Sequence, residues 1–207
     1  MVVPQYPVNL VVDRRPCLVV GGGRVALRKV AGLVECGADV TVVAPAVVPE
    51  LAALPGVRIE RRPYAKGDVA GFWLVIAATG DASVNQAVYE DATASGIWVN
   101  AADDPDRCTF TLPAVGRRPP LTVTVSTGGA SPAFAAWLRD TFMAELGEEY
   151  EVLLRLLSEA RVTIQGSGRP TEGFDWLSVL DSHMLDLIRA GDIGKAREHL
   201  EACLSSS

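Results

Sequence analysis

Residues 16–26 read PCLVVGGGRVA: a short apolar run, then Gly21-Gly22-Gly23, then Arg24, Val25 and Ala26. The apolar run predicts a buried strand, and Ala26, Val30, Leu33 and Val34 recur at helical spacing, so a helix is expected from about Arg24 to Cys36, stopped by Gly37. A glycine pattern G-x-G-x-x-A between a strand and a helix is the arrangement that cradles a dinucleotide. Gly21 permits the tight turn, Gly23 lets the backbone approach a pyrophosphate, and Ala26 lets helix and sheet pack closely. The free N–H groups of the helix start then face the phosphates.

Outward from this turn the chain reads VTVVAP (40–45), a short helical stretch near 47–54, VRIERR (57–62), FWLVIAAT (72–79), a helical stretch near 81–95, and IWVNAAD (97–103). Five β runs with helix-sized gaps, the runs nearly continuous in Val and Ile, predict a parallel sheet buried on both faces. The expected class is α/β, with a Rossmann-like N-terminal domain over 1–112. After Pro105 the pattern changes. TFTLPAV (109–115) and PLTVTVST (120–127) read as strands joined by GRRPP, too short a link for a crossover helix. They must pair antiparallel or with another chain, and 113–148 is expected to be a small α+β dimerisation domain. From Ser131 to about Cys203 the pattern is helical with one break at QGSGRPTEG (165–173), so 149–207 is expected to be a helical C-terminal domain.

The 207 residues are 49% hydrophobic and 21% charged, which places the chain among folded globular proteins. The net charge of -6 argues against a nucleic-acid surface. All of the excess is local: residues 1–140 hold 13 basic and 13 acidic side chains, and residues 141–207 hold 6 and 12. No apolar run is long enough for a membrane span and the N-terminus lacks the order of a signal peptide, so no membrane association and a cytoplasmic location are expected. Cys17, Cys36, Cys108 and Cys203 are scattered, and neither a metal site nor a disulfide framework is expected.

The second strand ends in Val43-Ala44-Pro45-Ala46, where a carboxylate would ordinarily meet the ribose hydroxyl. Ribose contacts must then come from backbone, the choice between NAD and NADP is left open, and Arg24 is placed to meet a 2′-phosphate. Thr79 ends the fourth strand on the cofactor crevice, or else caps the helix that starts near Asp81. His183 and His199 lie on acidic helices and read as solvated. Chemistry falls to Asn100-Ala101-Ala102-Asp103-Asp104-Pro105, a carboxylate-bearing strand end facing the nicotinamide side. Taken alone, both aspartates also fit a turn before proline. In Ser126-Thr127-Gly128-Gly129-Ala130-Ser131-Pro132, Ser131 and Pro132 fit a helix start, and the glycines make a concavity suited to a carboxylate. Arg14, Arg15, Arg107, Arg117, Arg118 and Arg139 stand in the neutral half, available for a local positive field toward a polyanion.

The stretches YPVNLVVDRRPCLVVGGGRVALRKVAGL, GADVTVVAP, LVIAATGDASVNQAV, GIWVNAADDPDRCTFTLPAV and LTVTVSTGGASPAFAAWLR, taken in order, resemble the precorrin-2 dehydrogenase and sirohydrochlorin ferrochelatase family of siroheme biosynthesis. The likeness spans about residues 3–140. It implies oxidation of precorrin-2 to sirohydrochlorin with NAD+, followed in some members by insertion of Fe2+ as a second substrate, and a homodimer whose central segment exchanges. It implies cofactor contacts at Gly21, Gly22, Gly23, Arg24, Val25, Ala44, Pro45, Ala46 and Thr79. The essential aspartate of the Asn-x-x-Asp-x-Pro motif, the expected general base, falls on Asp103. The tetrapyrrole is expected at Asn100, Thr127, Gly128, Gly129, Ser131, Arg117 and Arg118. The family position that is phosphorylated in one branch falls on Thr127, where threonine in place of serine argues against that modification. The end at Ser207 leads to the expectation of a stand-alone form without the methyltransferase domain of some relatives. The competing reading is a non-catalytic NAD-sensing regulatory domain, which would explain the missing His and Tyr-Lys bases.

Overall fold

A computed structural model describes residues 4–102, 104–168, 171 and 174–205 of the chain. Asp103, the expected base, therefore lies outside the described residues, as does part of the expected break at 165–173. The chain divides into two compact units, Met1–Leu112 and Pro113–Ser207.

The first unit is a five-stranded parallel sheet with helices on both faces. Its strands are β1 (Pro16–Val20), β2 (Asp39–Val43), β3 (Arg58–Glu60), β4 (Leu74–Ala77) and β5 (Trp98–Ala101), in the order β3-β2-β1-β4-β5. Successive strand residues serve opposite cores. Cys17, Val19, Val40, Val42, Leu74 and Ile76 pack with Ala26 and Val30 of α1 (Arg24–Glu35) and Leu51 of α2 (Pro49–Ala52). Leu18, Val20, Val43, Val75, Ala77 and Val99 pack with Val88 and Ala92 of α3 (Ala82–Ala94). The apolar runs are continuous because neither face meets water.

The strand order reverses between β1 and β4, and there the glycine turn is built. Gly21 has φ 123, and a methyl added to it would stand 2.3 Å from the Ala78 carbonyl oxygen. A methyl on Gly22 would stand 2.0 Å from the carbonyl oxygen of Ala46, beyond the end of β2. The Gly22 carbonyl in turn accepts from Val48 N–H at 2.8 Å. These two glycines are fixed by backbone packed against backbone, whereas Gly23 has nothing within 4 Å of the same position.

The expected helix-sized gap between β3 and β4 holds turns rather than a helix. The crossing is organised by side chains: Arg62 pairs with Glu60 at 2.6 Å and with Asp68 at 2.5 Å, and Asp68 also accepts from Ala65 N–H at 2.8 Å. On the α3 side, Asp91 accepts from the Tyr64 hydroxyl and from Gly67 N–H, both at 2.6 Å. Two of these bonds satisfy backbone N–H groups, at Ala65 and Gly67, and turn bonds such as Ala70 N–H to Gly67 C=O satisfy others.

In the second unit β6 (Ala114–Arg118) and β7 (Leu121–Val125) form an antiparallel pair. The expected strand over 109–115 is displaced: Gly116, Arg117 and Arg118 belong to β6, and the turn is the Pro119-Pro120 pair, whose residues have no N–H to offer a ladder. Thr109 instead closes the edge of β5, its N–H donating to Val99 C=O and its hydroxyl accepting from Val99 N–H, both at 2.8 Å. Helix α4 (Pro132–Glu145) packs on the hairpin, with Met143 and Arg139 against Gly116. The helices α5 (Glu148–Gly166), α6 (Ser182–Arg189) and α7 (Ile193–Ser205), with a 3-10 turn at Trp176–Val179, share a core of Leu153, Leu156, Val179, Met184, Ile188 and Leu200. The helical stretch thus has more breaks than expected. Asp175 and Asp181 each start a new element by accepting backbone N–H bonds, and Gly191, at φ 78, ends α6.

In unfolding experiments Gly22→Ala destabilises the chain by more than about 2 kcal/mol because the new methyl meets backbone. Gly23→Ala stays within about 1 kcal/mol of the parent; equal destabilisation by the two would contradict the packing described. Tyr64→Phe costs about 1 kcal/mol near neutrality. The Tyr64 hydroxyl and then Gly67 N–H hold Asp91 below the usual carboxylate range, so this cost is full above the ordinary value of about 3.9 and shrinks as pH falls through the lower folded one. A cost unchanged down to pH 2 would remove Asp91 from the account.

Candidate dinucleotide and carboxylate site

The turn at Gly21–Gly23 opens α1 with Gly23 as the residue before its first turn, and no side chain caps the free N–H groups there. No acidic residue lies in the first turn of α1. A pyrophosphate fits such a place: uncapped N–H groups, a favourable helix dipole, and open space where a Cβ would otherwise sit. Arg24 is exposed, Val25 half-buried and Ala26 fully buried against the sheet. Across the turn Ala44 is buried and Pro45 and Ala46 are exposed. The structure thus brings Gly21, Gly22, Gly23, Arg24, Ala44, Pro45 and Ala46 into one neighbourhood through the Gly22–Ala46 approach.

Thr79 lies at the end of β4, next to the Ala78 that packs on Gly21. Its hydroxyl contacts Asn85 Oδ1 at 2.8 Å and accepts from Asp81 N–H at 3.1 Å, while the Asn85 amide donates to Thr79 C=O at 3.1 Å. The cap of α3 is Asp81, whose carboxylate accepts from the N–H groups of Ser83 and Val84. Asn85 was not singled out in the sequence. The signal was present: it lies on the same stripe of α3 as Val88 and Ala92 and is buried like them, and a polar residue on an apolar stripe has a partner to hold.

Ala102 follows β5, and its N–H donates to Ala77 C=O at 2.8 Å, which sets the start of the 102–108 loop beside β4. Asn100 is buried; its amide donates to Phe110 C=O at 2.9 Å and approaches Cys108 Sγ at 3.3 Å. The Cys108 thiol, pushed up by burial and so kept protonated, approaches Asp104 C=O at 3.1 Å. Arg107 bonds the Asp104 carboxylate with one nitrogen and the Gln86 side chain of α3 with another. The segment from Asp104 to Cys108 is therefore tied to α3 and to the chain returning past β5, and Asp104 has an ion-pair partner.

In the second unit Ser131 accepts from Phe134 N–H at 3.2 Å and starts α4, with Pro132 as its first residue. Gly128 and Gly129, at φ 61 and 87, shape the preceding turn. The Thr127 hydroxyl accepts from Ser131 N–H at 3.1 Å and lies 3.2 Å from Ser131 C=O, so it is held within the turn. The expected free arginines are largely engaged. Arg14 pairs with Asp13, Arg107 with Asp104, Arg118 with Glu151 and Arg139 with Asp140, while Arg15 lies over the Trp73 ring. Arg117 is exposed on β6. The positive field is thereby reduced, because most of these cations face a carboxylate at close range. His183 is exposed, but His199 is half-buried, 3.4 Å from Asp181, with its ring edge-on to that of His183. No described helix is long and apolar enough to cross a membrane.

A family model described as putative NAD(P)-binding matches residues 8–114, and one described as sirohaem biosynthesis protein central matches residues 118–142. The chain is similar to siroheme synthase of Nitrosococcus oceani, 38% identical over 97% of the chain and 44% of the relative, and to that of Methylococcus capsulatus, 43% identical over 77% of the chain and 34% of the relative. It thus spans less than half the length of these relatives. A solved structure, SirC, precorrin-2 dehydrogenase, matches with a TM-score of 0.75 and 28% identity, covering 96% of this chain and 98% of that one. The chain belongs to the putative NAD(P)-binding family, and its resemblance to the precorrin-2 dehydrogenases of siroheme biosynthesis, read first from five motifs, extends over both of its units.

Proposed function

We propose that the chain oxidises precorrin-2 to sirohydrochlorin in siroheme biosynthesis, with NAD+ at the glycine turn, Asp103 as general base, and a second copy of the chain completing a homodimer. The observation that carries this reading is the point where strand order reverses: the open cradle at Gly23, the end of β4 and the loop after β5 all lie at the carboxyl edge of one sheet. Ligands of open α/β sheets bind at that edge.

When bound, NAD+ supplies the hydride acceptor. The uncapped N–H groups of α1 face its phosphates, and Gly21 and Gly22 fix the turn that presents them. One hydride and one proton leave the macrocycle as a double bond forms, and the proton needs a carboxylate near the strand ends. Asp104 is paired with Arg107 and so is committed to holding the loop; Asp103, one residue earlier, is the proposed acceptor. Substrate contacts are proposed within each unit separately: at Asn100 in the first, and at Arg117, Arg118 and the turn formed by Thr127, Gly128, Gly129 and Ser131 in the second. A two-stranded sheet is marginal alone. The β6–β7 hairpin, with Phe134 and Trp137 exposed on α4, suits cover by a second copy. Insertion of Fe2+ would ask only for removal of pyrrole protons, since the macrocycle brings four nitrogen ligands, and Asp103 would serve there too.

Precorrin-2 and NAD+ mixed with the chain under nitrogen are expected to give NADH and the sirohydrochlorin spectrum. Asp103→Ala lowers kcat by about a hundredfold or more with NAD+ binding kept, and Asp104→Ala retains most activity. Nucleotide binding without turnover by the parent chain would leave the NAD-sensing alternative; the reverse order of the two variants would make Asp104 the base.

A further inference from the structure

Arg24 is the first residue of α1 and Arg61 directly follows β3; both are exposed, and among the described residues neither is paired with a carboxylate. Backbone contacts bring them to the same place from two sides. Gly22, two residues before Arg24, packs on the Ala46 carbonyl, and the Ala44 N–H donates at 3.1 Å to the carbonyl of Glu60, the residue before Arg61. The segment 44–46 between them is where the adenosine ribose of a dinucleotide lies at the end of the second strand. A carboxylate there would accept the 2′-hydroxyl and repel a 2′-phosphate, but Ala44, Pro45 and Ala46 have none. The nearby acid, Glu60, is half-buried and paired with Arg62 at 2.6 Å, and Arg62 also holds Asp68. The first turn of α1 adds no negative charge.

We infer that the chain binds NADP+ as well as NAD+ at this turn, with Arg24 and Arg61 receiving the 2′-phosphate from opposite sides of the 44–46 segment. The inference rests on the dinucleotide site assigned above and adds its specificity. Guanidinium groups suit the ligand, because a phosphate monoester accepts paired N–H bonds from their planar fork. Arg61 touches only this phosphate in the proposal, so its role separates the two cofactors. Arg24 stands nearer the pyrophosphate, and so its effect is read as a ratio of affinities.

The test is titration of the full-length chain with NAD+ and with NADP+, followed by tryptophan fluorescence or calorimetry, which needs no turnover. NADP+ is expected to bind within about tenfold of NAD+ or more tightly. Arg61→Gln weakens NADP+ by about tenfold and changes NAD+ by less than about threefold, and Arg24→Gln lowers the NADP+ to NAD+ affinity ratio by about tenfold. The inference is overturned if the parent chain binds NAD+ but holds NADP+ more than about tenfold more weakly, or if both variants weaken the two nucleotides equally. Failure to bind either nucleotide would overturn the dinucleotide site itself.

Discussion

The close approach of the Gly21-Gly22 backbone to two carbonyls, those of Ala78 and Ala46, is the constraint on which the rest of the site depends. It locks the end of β1 between its two sheet neighbours, β2 and β4, at the point where the strand order turns back. No side chain is small enough to stand in either gap, so the turn is specified by what its residues lack. Because the first two glycines are consumed by packing, Gly23 alone remains open toward a ligand, directly before the uncapped start of α1. One steric requirement thus governs both the packing at the strand reversal and the open turn proposed to receive the phosphates.

The carboxylate side of the site is organised differently, by polar bonds rather than by close backbone packing. Asn100 and Cys108 hold the returning segment against β5, and Arg107 reaches from the loop to Gln86 on α3 while neutralising Asp104. Asp104 is thereby committed to an ion pair.

The five strands and the helix after the glycines could be read from sequence because each is written in local patterns: apolar runs, helical spacing, a glycine stop at Gly37. The start of α4 at Ser131-Pro132 was legible for the same reason. What escaped depends on partners far apart in the chain. The crossing from β3 to β4 looked like room for a helix, yet it is held by Tyr64 reaching Asp91 and by Arg62 reaching Asp68. Apolar content points to a strand over 109–115, whereas the observed strand runs Ala114–Arg118 and stops at Pro119-Pro120, which have no N–H to offer. The arginines were counted as a free field because charge is visible in a sequence and ion pairing is not. Asn85 and Gln86 looked like ordinary helix residues, although they tie Thr79 and Arg107 in place.

In the proposed arrangement the glycine turn is the phosphate site and the ends of β4 and β5 are the reaction side of one cofactor. A crystal structure of the chain with NAD+ tests this most directly. The account predicts the pyrophosphate over Gly23 and the first turn of α1, the adenosine ribose against Ala44, Pro45 and Ala46, and the nicotinamide over the ends of β4 and β5. A dinucleotide seated elsewhere, or one whose nicotinamide points away from the loop after β5, would contradict it.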